Sequence, residues 1–413
     1  MHTLIRPFRA LRPAPGQAAA VAAPPYDVLN TDEARQRAAG RPWSFLHISK
    51  PEIDLPEGTD PYSPAVYARG AENLGRLQDR GILLRDEKPH YYVYRLRMGN
   101  HVQTGIACIG SVAEYDRNRI RKHEFTRPDK EDDRVRQITA LNAQTGPVLL
   151  TYRANAELRK IFSETTGGTP ACELTADDGI MHTIWVVKND EQLSAITHIV
   201  DAMDSLYIAD GHHRSAAASR VAAARNGDNP RHSGDLDYNY FLCVAFPDDE
   251  MRIFDYNRVV RDLHGLAKDA FLKRIQQQFS VTATAGQARP TRTGQFGMYL
   301  DQQWYLLDIQ HSLIPRDPVA SLDVSLLQEH LLAPVLGIGD PRRDKRIDFV
   351  GGIRGLGELE RRVNSGEMAV AFALFPTSLE ALMAVADANQ VMPPKSTWFE
   401  PKLADGLLSH VLD

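Results

Sequence analysis

The sequence predicts a mixed α/β protein. Strand-like and helix-like runs alternate along most of its 413 residues, the pattern of sheets covered by helices. Two stretches read as β-hairpins: His90–Met98 with His101–Val112 around Gly99-Asn100, and Gly297–Leu300 with Trp304–Ile309. The pattern changes near residue 265, so a core over residues 1–265 and a C-terminal α/β lobe over 266–413 are expected.

Residues 1–65 are rich in proline and small residues and read as ordered loops between short elements, because proline fixes φ and blocks helix. Val66, Leu74 and Leu77 share one face of a helix from about Pro64 to Arg80, stopped by Gly81. A charged segment, Arg117–Arg136, precedes the strand Val148–Tyr152. Ile180–Val187 is a strand, Glu191–Met203 a helix, and Leu206–Ala209 a short apolar strand. The Ala-rich helix Ser215–Arg225 leads to a buried-type strand, Tyr240–Phe246, and then to Met251–Phe254. In the C-terminal lobe, Ala270–Gln278 and Val324–Leu332 are helical and Ala369–Phe375 is an apolar strand.

Apolar residues at 43% suffice for a real core, and 24% charged residues suit a globular chain. A formal net charge of −5 argues against duplex DNA as a partner, which needs a basic face to displace counterions. Cys108, Cys172 and Cys243 are widely spaced and form neither a disulfide framework nor a zinc ribbon. Residues 1–20 lack a signal-peptide apolar run, and no stretch approaches the ~20 apolar residues of a membrane span, which points to the cytoplasm.

The segment Tyr207-Ile-Ala-Asp-Gly-His-His-Arg214 is read as a strand-to-helix turn built to hold a phosphate. Such a site needs close backbone approach, unpaired N–H groups and positive charge. Gly211 supplies the first, the helix start at His212 and His213 the second, and Arg214 a bidentate cation. Asp210 caps the helix, binds Mg²⁺ or meets a substrate amine. Two simpler readings stand beside this one: an ordinary N-cap with surface histidines, or a metal site on the histidine pair. The second is disfavoured because adjacent helical side chains diverge.

Asp210-Gly-His-His-Arg214 before an Ala-rich helix resembles the signature of the ParB/sulfiredoxin superfamily, in particular its free L-serine kinases. The whole chain also resembles a bacterial and archaeal family labelled a domain of unknown function. The motifs carrying that likeness include Pro24-Pro-Tyr-Asp-Val28, Ser44-Phe-Leu-His47, Glu52-Ile-Asp-Leu-Pro56, His123-Glu-Phe-Thr-Arg127, Asn142-Ala-Gln-Thr-Gly-Pro147, Asp255-Tyr-Asn-Arg258 and Pro393-Pro-Lys-Ser-Thr397. The resemblance implies a ParB/sulfiredoxin-like core with large insertions. It also implies ATP or ADP as phosphate donor, Mg²⁺, a small amino-acid acceptor, and Asp27 near the site. His212 stands where sulfiredoxin has its cysteine, which argues against sulfiredoxin chemistry. No P-loop, dinucleotide fingerprint or protein-kinase motif set occurs.

A kinase for a small alcohol needs a base, a cation on the phosphates and charge around the transferred group. The segment His123–Arg134 offers all three. Glu124, with His123 as second choice, is the base; Glu131 and Asp133 are the Mg²⁺ ligands; Arg127, Lys130 and Arg134 neutralise phosphate. The plain alternative is a solvated charged helix, but Asp129/Asp133 and Lys130/Arg134 are like-charged i,i+4 pairs that would destabilise it. Asn142 and Thr145 are expected to contact a ligand, as are Asn257 and Arg258 after a strand end, and Lys395 if its proline-stiffened segment, 393–402, folds back over the site. The expected function is phosphorylation of free L-serine. The rivals are a ParB-like nucleotide-binding regulator and a metal-dependent phosphohydrolase. A homodimer is left open.

Overall fold

Residues 3–413 are described by the structure, a computed structural model. The chain divides into two compact units, Met1–Met251 with Pro401–Asp413, and Arg252–Glu400. The fold is mixed α/β, as expected.

The first unit is built on a nine-stranded mixed sheet. Its strands are β1 (Ile5–Arg6), β2 (Tyr91–Met98), β3 (His101–Ser111), β4 (Ile120–Arg121), β5 (Val148–Tyr152), β6 (Cys172–Thr175), β7 (Met181–Val187), β8 (Leu206–Asp210) and β9 (Tyr240–Pro247). The order is β4-β8-β5-β9-β3-β2-β7-β6, with β1 beside β3. β8 runs parallel to β4 and β9 parallel to β5, while the other pairs are antiparallel. Every residue of β9 is buried, as its unbroken apolar run requires of a central strand. Gly99, at φ 58°, makes the tight turn between β2 and β3.

The longer helices of this unit are α1 (Pro64–Asp79), α2 (Pro128–Leu141), α3 (Ala156–Thr166), α4 (Asp190–Asp201) and α5 (His212–Asp228). α5 packs Ala217, Ala218, Val221 and Ala222 against Val148, Leu150 and Ile208. Small side chains let its axis lie close to the sheet, which brings its N-terminus over the ends of β5 and β8. A smaller core, with Phe45, Leu46, Leu74, Leu77 and Leu141, fixes α1 and α2 beside it.

The second unit holds a six-stranded antiparallel sheet of β10 (Tyr256–Val260), β11 (Phe279–Thr284), β12 (Gln295–Leu300), β13 (Gln303–Ile309), β14 (Ile347–Gly351) and β15 (Val370–Leu374), in the order β11-β13-β12-β15-β10-β14. The expected boundary near 265 would assign β10 to the core. β10 is instead hydrogen-bonded between β14 and β15, and the division falls at Met251/Arg252. The helix expected over Val324–Leu332 is α-helical only over Asp323–Leu327 and widens to a π-turn over Gln328–Leu332. Among the described residues no helix is long and apolar enough to cross a membrane.

Candidate functional site

The turn at the end of β8 is shaped by Gly211. Its φ of 95° lies where L-residues are strained, and a Cβ there would sit 3.3 Å from the Val148 Cα. Helix begins at His212, three residues before the expected start, so both histidines and Arg214 occupy the first turn of α5. That turn carries no acidic residue. A cation at a helix N-terminus opposes the macrodipole, an arrangement that a bound anion would relieve. Arg214 and Ser215 donate their N–H groups to the Gly211 carbonyl at 2.9 and 3.1 Å. The N–H groups of His212 and His213 have no carbonyl within the helix to bond.

Asp210 does not cap this helix as expected. One of its oxygens accepts the Gly211 N–H at 2.8 Å and the other meets Lys402 Nζ at 3.0 Å. Burial pushes this carboxyl up, but Lys402 and Arg214 outweigh it and hold it well below the usual carboxylate range. Asp210 is therefore a fixed anion and a poor proton acceptor, which tells against a role as catalytic base. Lys402 was not anticipated. The C-terminal segment does return to the turn, but through Lys402; Lys395 belongs to the second unit.

The two histidines diverge, as helical geometry requires. His213 Nε2 accepts the Arg127 N–H at 3.1 Å. His212 points inward: its Nδ1 is 3.8 Å from Glu124, its Nε2 is 3.5 Å from the His123 N–H, and its ring stands edge-on to His123 with centroids 4.5 Å apart. Burial pushes His123 down to about 4, and burial with the neighbouring His123 pushes His212 well below its ordinary range. Both imidazoles are neutral at pH 7, so the positive charge here comes from Arg214, Arg134 and Lys402.

Arg214 Nη1 donates to the Pro147 carbonyl at 2.6 Å and Nη2 reaches Asp27 at 3.3 Å, while its buried Nε has no partner. Tyr26 packs against two guanidinium groups, with Arg134 at 3.8 Å and Arg214 at 5.7 Å from its ring. These groups, with Gln144, Thr145 and Asp405, line a cavity of about 30 Å³, large enough for a water molecule but not for a nucleotide. Gly146 borders it, and a Cβ there would make ordinary contact with Asp405 at 3.4 Å and Arg214 at 3.5 Å.

Asp405, also unanticipated, is 2% exposed, and burial raises its carboxyl to about 7 despite the nearby Arg214. Its folded pKa exceeds its unfolded one, so its contribution to stability falls as pH rises from about 4 through 7. Asp405→Asn is therefore expected to raise Tm by a few degrees at pH 8 and to lose that advantage at pH 5, read by thermal unfolding at both pH values.

The other expected residues have structural partners of their own. Asn142 is the left-handed C-cap of α2, at φ 49°, and its carbonyl accepts the Leu412 N–H at 2.9 Å. Glu131 and Asp133 do not fit a shared Mg²⁺ site. Two residues apart on α2 they face different ways, Glu131 to Thr126 and Arg220, Asp133 to Tyr67 at 2.9 Å and Arg134 at 2.7 Å. Lys130 donates to the Tyr62 hydroxyl at 2.9 Å, and Arg127 pairs with Asp129 at 2.8 Å on the surface. In the second unit, Asn257 is fully buried, accepts the Leu374 N–H at 3.0 Å and donates to Asp255 at 2.6 Å. Arg258 is spent on the Tyr256 and Lys395 carbonyls and stacks 5.1 Å from the Phe349 ring. Both have sufficient structural reasons for being there.

The structure thus gathers Asp27, His123, Glu124, Arg134, Thr145 and Asp210–Arg214 in the first unit, and adds Tyr26, Lys402 and Asp405. Among solved structures, the chain is similar to a free serine kinase in complex with AMP, at 11% identity and a TM-score of 0.35, over 73% of this chain and 92% of that one. It is also similar to a conserved hypothetical protein from Pyrococcus furiosus, at 13% identity and a TM-score of 0.34, over 72% and 93%. A third similar structure is SbnI from Staphylococcus aureus with a C-terminal truncation, at 11% identity and a TM-score of 0.38, over 72% and 85%. No curated protein matches. A family model described as protein of unknown function, DUF1015, matches residues 5–325, most of the chain, and the protein belongs to that family.

Proposed function

We propose that this protein is a nucleotide-dependent phosphotransferase acting on the hydroxyl of a small molecule, with free L-serine as the acceptor. The observation that carries the reading is the turn at Gly211: a glycine at φ 95°, two N–H groups in the first helical turn with no helix carbonyl to bond, and in the same turn a buried arginine with an unpartnered Nε. The likeness of its Asp-Gly-His-His-Arg run to free L-serine kinases supports nucleotide phosphate as the anion. ATP or ADP supplies the phosphoryl group. The N–H groups of His212 and His213 hold its terminal oxygens, and Arg214 turns its Nε, or the Nη2 now on Asp27, toward the same charge. Lys402 keeps Asp210 ionised, so the turn holds its shape while charge moves. Glu124, 44% exposed beside His212, receives the hydroxyl proton.

The full chain, incubated with L-serine, Mg²⁺ and either ATP or ADP, is expected to yield O-phosphoserine by mass spectrometry. Folded protein that forms no product with either nucleotide defeats the serine assignment. Nucleotide binding with no turnover on any hydroxyl amino acid would favour the ParB-like regulator instead.

A further inference from the structure

The edge of the site facing β4 carries a group the phosphate turn does not use. His123 is 2% exposed and its Nδ1 has no hydrogen-bond partner. Its ring bonds the Ile208 backbone, and with Nδ1 unpartnered the donor is Nε2, which leaves a buried lone pair on Nδ1. A metal-bound imidazole has this arrangement, with one nitrogen anchored to a carbonyl so that the other presents its lone pair. Ligand atoms of His123, Glu124 and His212 all lie within 4.8 Å of one another.

The geometry points to a divalent transition-metal site formed by His123 Nδ1, His212 and Glu124. Two imidazoles and one carboxylate suit Zn²⁺, Mn²⁺, Fe²⁺ or Co²⁺, whereas Mg²⁺ takes oxygen ligands almost entirely. Ligands about 2.0–2.2 Å from an ion are at most about 4.4 Å apart, so the cluster must tighten slightly. Glu124, at 44% exposure, is the most exposed member and the one that must swing inward. His212 would coordinate through Nδ1, the atom facing Glu124 at 3.8 Å. Its proton would then sit on Nε2, giving up a contact to the His123 N–H that is long at 3.5 Å and holds little. Three protein ligands leave positions open, which characterises catalytic rather than structural sites.

The site stands on these three side chains and does not depend on the phosphotransfer reading. If both hold, Glu124 is a ligand and not the base, and the acceptor hydroxyl would lose its proton while coordinated to the ion.

The test uses the full chain, stripped with chelator and titrated with Co²⁺ and Zn²⁺ without nucleotide. One Co²⁺ per chain is expected, with visible absorption bands, displaced by Zn²⁺ and indifferent to excess Mg²⁺. Glu124→Gln, on the exposed side, should fold normally and bind at least about tenfold more weakly, since even outer-sphere partners cost 10–100-fold. His123→Gln should do the same, and His213→Gln should bind as the parent does. No Co²⁺ binding, displacement by Mg²⁺, or affinity unchanged in Glu124→Gln and His123→Gln would overturn the site. Loss of serine phosphorylation with metal binding intact would instead count only against the phosphotransfer reading.

Discussion

Arg214→Ala is expected to weaken nucleotide binding about 100-fold and to lower Tm together with it. Two charge-assisted hydrogen bonds to phosphate oxygens, at about 1.5–3 kcal/mol each, account for the affinity. The stability loss has a separate origin. The Arg214 side chain is only 12% exposed, and it satisfies the Pro147 carbonyl, faces Asp27 and lies close to Asp405. Removing it leaves a buried carbonyl without its donor, at about 1–3 kcal/mol, while Asp27 at 45% exposure regains water at little cost. Arg214→Lys keeps the charge and loses the fork, so most of the affinity loss should remain. Isothermal titration with ATP and ADP, beside thermal unfolding, reads both effects. Unchanged nucleotide affinity in a folded Arg214→Ala protein would remove the phosphate from this turn.

Gly211→Ala is the second large effect. At φ 95° an alanine costs about 1–2 kcal/mol, and its Cβ would press on the Val148 Cα at 3.3 Å. The turn can relieve this only by rotating its peptide planes, which reorients the His212 and His213 N–H groups. Binding is expected to fall more than tenfold, with Tm several degrees lower. Gly227→Ala is the matched comparison within the same helix. Nothing lies within 4 Å of its added Cβ, so it should be neutral or stabilising by up to about 1 kcal/mol, with full binding. If the two variants behave alike, the conformation of Gly211 has no part in ligand binding.

Much of the sheet was readable because its strands are simple signals. β5 matches its expected span, and β2, β3 and β9 do so within a residue or two. Each is an apolar run bounded by turn residues, which periodicity detects. The charged segment was readable as chemistry but not as geometry. Its like-charged i,i+4 pairs marked it as unusual, and α2 resolves them through partners distant in sequence, Tyr67 and Tyr26. An isolated helix has no such partners, so the local rule could not place Asp133 and Arg134. Asn142 and Lys395 share a feature that local sequence did not show. Both have positive φ, and for Asn142 the residue type served the backbone and not a ligand.

By itself, the sequence determined where the strand-to-helix turn proposed to hold phosphate lies. Glycine after a strand, followed by a cation and an Ala-rich run, requires only short-range chemistry: positive φ, unpaired N–H groups and close helix packing. Only the tertiary structure decided which charges complete the turn. Lys402 and Asp405 lie 192 and 191 residues beyond Asp210 and Arg214, and they arrive because the last thirteen residues return to the first unit. Burial then sets their chemistry, holding Asp210 ionised beside Lys402, raising Asp405 to about 7 and making His123 a neutral lone pair. Those are consequences of desolvation and of which charges become neighbours, and neither is written in local sequence.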